Sequence, residues 1–188
     1  KIFKLKTTLR FLILFLLISN FQLSAAEMII GEEKINPAID ITFEAAPKDT
    51  IHPKGSYLDE NATDIHIEML ANWSADNPYD FPKGGFVAYL DARALIENHN
   101  NDKSLLINLS PHINLIDSLH YAKNLKLPGS ITDKYNITFF IEGNKSEQLG
   151  IHNDWHNIVG KYVTKHSFTY KNLSFEKIAK SVRDKKTL

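Results

Sequence analysis

Five of the eight histidines in this 188-residue chain fall in three short stretches, and these carry its most promising chemistry. In Asp64-Ile65-His66-Ile67-Glu68, a period of two puts Asp64, His66 and Glu68 on one strand face. Ile65, Ile67 and Met69 take the other face, which belongs in a core. An imidazole and a carboxylate two residues apart can offer two ligands to one divalent ion. On a solvated strand the same pair is only a weak ion pair, and the motif alone favours that plainer reading. Pro111 to Tyr121 is a loop-like stretch holding His112 and His120, and Gly150 to His156 holds His152 and His156 between two strands. A single histidine is more often a surface or hydrogen-bonding residue than a ligand. Three clusters in one cysteine-free chain shift the weight toward metal binding.

The elements that must position these residues read as strands. Polar–apolar alternation or β-rich composition marks Ile39 to Phe43, Thr63 to Met69, Phe86 to Ile96, Leu105 to Leu109, Tyr135 to Ile141 and Tyr162 to Tyr170. Turn-forming stretches separate them, among them Pro47-Lys48-Asp49, Pro53-Lys54-Gly55 and Pro82-Lys83-Gly84-Gly85. Regular short strands with little helical periodicity predict an all-β antiparallel sandwich, whose end loops are the usual place for function. The tail, residues 174–188, differs: Phe175, Ile178, Ala179 and Val182 recur at helical spacing and predict a short docked helix.

Composition narrows the function. The absence of cysteine excludes disulfide scaffolds, thiolate zinc sites and cysteine nucleophiles. Zero net charge, from 22 basic and 22 acidic residues, argues against a nucleic-acid partner. That zero is uneven. Residues 1–26 hold Lys1, Lys4, Lys6 and Arg10 with no acid, then the apolar run Phe11 to Ile18 and small residues at Ser24-Ala25-Ala26. This is the pattern of a cleavable signal peptide, too short in its apolar run to span a bilayer comfortably. Cleavage after Ala26 leaves an exported domain over residues 27–173 and the tail, with 18 basic against 22 acidic residues. Asn-x-Ser/Thr triplets at Asn61, Asn72, Asn108, Asn136, Asn144 and Asn172 leave glycosylation undecided.

Several segments together resemble the periplasmic high-affinity Fe(II) transport proteins, which serve a membrane iron permease. They are Asp64 to Glu68, Phe86-Val87-Ala88-Tyr89-Leu90, Asp117-Ser118-Leu119-His120-Tyr121-Ala122-Lys123-Asn124, Asp133 to Glu142, Gly150-Ile151-His152 and Tyr170-Lys171-Asn172-Leu173. The resemblance implies an immunoglobulin-like sandwich that dimerises and binds a divalent metal near the dimer interface. Carried over residue by residue, the ligands are His66, Glu68, His120 and His152. The family also uses a methionine, which has no counterpart here. His112 falls at or next to its position and is the expected replacement.

A site of imidazoles and carboxylate lacks the soft sulfur that favours Cu(I), and suits Fe(II) or Cu(II), with Zn(II) and Mn(II) also accommodated. Binding should weaken as pH falls through the histidine range. Asp117, Trp155 or His156 could stand near the ligands, and Glu32-Glu33 could add a peripheral carboxylate. The resulting reading is a non-enzymatic, homodimeric periplasmic protein that captures a divalent ion and passes it to an inner-membrane iron permease. The main alternative is a metal-independent secreted β-sandwich that binds peptide or sugar. A hydrolase is disfavoured, because no nucleophile elbow or His-Glu-x-x-His occurs.

Overall fold

The computed structural model describes residues 27–35, 37–143 and 149–183. The leader, residues 1–26, lies outside them, as does the sequon at Asn144. Eight strands form: β1 (Met28–Ile35), β2 (Ile39–Ala46), β3 (Ile65–Trp73), β4 (Leu90–Asn98), β5 (Ser104–Asn114), β6 (Ser118–Leu125), β7 (Lys134–Gly143) and β8 (His166–Ser174). The described residues also form two short α-helices, α1 (Asn153–Ile158) and α2 (Glu176–Lys180), and a 3-10 turn at Glu60–Ala62. No described helix is long and apolar enough to cross a membrane.

All pairings are antiparallel, in the order β1-β2-β3-β6-β5-β4-β7-β8. The long strand β5 changes sheets part-way along. Its first half, to Leu109, pairs with β4, and from Ser110 onward it pairs with β6. This passage folds the ladder into the expected antiparallel sandwich, with the outer strands approaching a barrel. Phe43 of β2 stacks on Phe139 of β7 with ring centroids 3.9 Å apart, joining the two layers through the core. At the outer edges Tyr170 of β8 lies against Gly31 of β1, where any Cβ would overlap the ring, and its hydroxyl donates to Glu33.

Several local expectations change. Residues 111–121 are not a loop: they form the end of β5, a turn at Asn114–Ser118 and the start of β6. The polar side chains of Asn114 and Asp117 make the tight turn that a hairpin needs. Asn114 Oδ1 accepts from the amides of Ile116 and Asp117, and Asn114 Nδ2 donates to Asp117 Oδ2. Strand β1 was also missed, because Met28 to Ile35 alternates only weakly. The tail helix is short. Phe175 and Ile178 are buried in the core, but α2 ends at Lys180 and Val182 is exposed.

Candidate metal centre

Strand β3 builds the site because it is an inner strand, paired with β2 on one side and β6 on the other. Its Ile65, Ile67 and Met69 fill the core as the alternation required. The opposite face is not solvated. His66 is 1% and Glu68 0% exposed, because residues 49–57 and Arg183 close over that side of the sheet.

Register then gathers the candidate ligands. Asn124 of β6 lies opposite His66, Ala122 opposite Glu68, and His120 opposite His112 of β5. Period two puts His120, Ala122 and Asn124 on the face that carries His66 and Glu68. Ala122, with a single methyl group, therefore sits between the row of His66 and the row of His112 and His120. One ring nitrogen from each of His66, His112 and His120 lies within 4.8 Å of the others. Imidazoles around one ion at about 2.1 Å stand about 3.4 Å apart, so a modest inward closure completes a three-nitrogen site. Glu68, Glu27 and Asp117 form a neighbouring group whose carboxylate oxygens lie within the same limit. Glu68 links the two groups, with Oε1 3.5 Å from His66 Nε2.

Hydrogen bonds hold the imidazoles in ligating form. Asn124 Nδ2 donates to the carbonyls of Asp49 at 2.8 Å and Leu58 at 3.0 Å, which fixes its amide orientation. Asn124 Oδ1 must then accept from His66 Nδ1–H, at 2.7 Å, leaving the Nε2 lone pair free. The carbonyl of Ser118 imposes the same tautomer on His120 by accepting from Nδ1–H at 3.1 Å. His112 Nδ1 is buried without a hydrogen-bond partner, as are both carboxyl oxygens of Glu68 and Oε2 of Glu44. Unpartnered buried acceptors are costly, so this concentration of them fits a cation.

Burial also sets the protonation states. It pushes His66 down to about 3 and His112 to about 4, and lowers His120 as well. Burial, reinforced by the charges of Glu27 and Asp117, raises Glu68 to about 8 and Glu44 to about 7. His66 and Glu68 are therefore a neutral imidazole beside a mostly protonated carboxyl at neutral pH, not an ion pair. The anticipated loss of binding across the ordinary histidine range moves accordingly. Burial keeps His66 and His112 deprotonated well below it, and the raised carboxyls of Glu68 and Glu44 are the groups that must give up protons.

The remaining expected residues fall elsewhere. His152 is exposed and precedes the first turn of α1, whose Trp155 packs on Trp73 and Phe81. Trp73 ends β3 seven residues from His66, roughly 23 Å along the strand, so the chain does not bring His152 to its own cluster. His156 follows on the same helix. Asp117 faces Glu68 and makes no hydrogen bond to a histidine, while Glu33 is occupied by Tyr170. Sequence reasoning missed Glu27 and Glu44. Glu44 could have been found by pairing β2 with β3, which puts it directly opposite Glu68.

The profile of the Fe2+ transport protein family matches residues 24–176. The chain belongs to that family. As a family member it also superposes on solved structures. A copper-bound variant of Campylobacter jejuni P19 shares 25% identity at a TM-score of 0.67, covering 78% of this chain and 96% of that one. Copper-reconstituted C. jejuni P19 gives 25% identity and a TM-score of 0.66, covering 78% and 94%. FetP of uropathogenic Escherichia coli, at 21% identity and a TM-score of 0.66 over 78% and 95%, supports the fold alone. No curated protein sequence matches.

Proposed function

We propose that this member of the Fe2+ transport protein family is a non-enzymatic periplasmic carrier that binds a divalent ion and passes it to an inner-membrane iron permease. The observation that carries this reading is the convergence of three buried imidazoles, with Glu68 3.5 Å from one of them, His66. His66, His112, His120 and Glu68 are the ligands from one chain, with His112 standing where the resemblance places a methionine. A set without sulfur suits Fe(II) or Cu(II) and accommodates Zn(II) and Mn(II). Affinity in vitro should still peak at copper by the Irving–Williams order, so the copper held by P19 is compatible with iron as cargo.

The working form in this reading is a homodimer. Ile113, Leu115 and Ile116 stand more than 70% exposed on the β5–β6 hairpin, beside His112. Apolar side chains clustered at such exposure mark an interaction surface. His152, exposed and remote from its own cluster, is the residue that a second copy would contribute.

The test is calorimetric titration of the chain from Glu27 onward with Cu(II), and with Fe(II) under anaerobic conditions. One ion per chain is expected, with severe loss on alanine substitution of His66, His112 or His120. The His152→Ala variant should weaken binding only at concentrations where the wild type is dimeric. Stoichiometric binding that survives all four substitutions refutes the site.

A further inference from the structure

We propose that His52 is a transient rim ligand, the first imidazole to meet an incoming ion and the last to leave a departing one. This rests on the metal-carrier reading above. A cavity of about 350 Å³ opens over His66, His112 and His120, and His52 lines it together with Asp49 and Arg183. The segment bearing His52 is tied at both ends to the ligands. The Asp49 carbonyl is held by Asn124, which orients His66, and Tyr57 packs edge-on against the His112 ring at 5.0 Å.

Among the described residues, His52 alone of the imidazole and charged groups lining the cavity is exposed and has no hydrogen-bond or ion-pair partner. Arg183 pairs with Asp49 at 3.3 Å and with Glu27 at 3.9 Å, which engages both carboxylates. With the Asp49 carboxylate engaged, His52 is the ligand on the open side. Such an imidazole replaces one water of the hydrated ion before the buried ligands strip the rest. It lowers the barrier in both directions, so it changes rates without changing the equilibrium. That property serves a carrier, which must release as well as bind.

The experiment follows Co(II) by its visible absorption in stopped flow, with release measured into excess chelator. His52→Ala is compared with wild type and with His156→Ala, an exposed histidine on α1. The expected result is association and release both slowed by about tenfold in His52→Ala, affinity within about threefold of wild type, and no change in His156→Ala. Rates equal to wild type overturn the proposal. So does an affinity loss carried by faster release, which would place His52 in the resident ligand set. Absence of Co(II) binding in wild type overturns the carrier reading as well, and so separates the two failures.

Discussion

Glu68 should make metal binding a proton-release reaction. Its carboxyl is fully buried, has no hydrogen-bond partner and is raised to about 8, so at pH 7 it is about nine-tenths protonated in the metal-free protein. A cation recruits the ionised form, so about 0.9 proton must leave at that pH. Apparent affinity should fall about tenfold per pH unit below 8, or about 1.4 kcal/mol for each unit. Glu44, raised to about 7, adds a smaller release if the ion draws on it too. His66 and His112 add almost nothing above pH 5, because burial already keeps them neutral. Isothermal titration with Zn(II) at pH 7, in two buffers of different ionisation enthalpy, counts the protons. Wild type should release close to one proton more than Glu68→Gln. Equal release from the two proteins refutes the argument. So does release that climbs toward three protons as pH falls below 6.5, the behaviour of ordinary histidines.

Other tests address the supporting structure. Replacing Asn124 by leucine removes the acceptor that fixes the His66 tautomer, and should lower Zn(II) affinity about 10- to 100-fold by calorimetry. His112→Met introduces a thioether, so competition against a Cu(I) chelator should show tighter Cu(I) binding while Co(II) binding weakens. Phe139→Ala removes the ring that stacks across the two sheets, and should cost about 3–5 kcal/mol in urea unfolding. Metal-free stability should depend on pH in two opposed windows. Between the ordinary value of 6.5 and about 3–4, the unfolded chain takes up protons that folded His66 and His112 refuse, so stability falls with falling pH. Between 4.5 and about 8, folded Glu68 holds a proton that the unfolded chain has lost, so stability falls with rising pH. Urea titrations across pH 4–9 with chelator present read both slopes.

The alternation of Thr63 to Met69 was legible from the sequence because a strand's period of two follows from local backbone geometry. It placed Met69 in the core and His66 and Glu68 together before any tertiary information. The same local rule failed for residues 111–121. A proline and several turn-forming residues resemble a loop, yet the end of β5 pairs with the start of β6 across a tight turn, and β6 goes on to pair with β3. The hairpin turn set His112 opposite His120, and the longer-range pairing of β2 with β3 and of β3 with β6 brought Glu44 opposite Glu68 and His66 toward that pair. Burial was likewise invisible locally. A face of aspartate, histidine and glutamate reads as solvated until a loop from 49 to 57 and an arginine at 183 close over it. The sequence by itself determined which ligand types the chain can offer, imidazole and carboxylate without cysteine, because residue types are local facts. Only the tertiary structure decided which histidines converge, which tautomers they hold and which groups carry the protons, because those depend on contacts between strands distant in sequence.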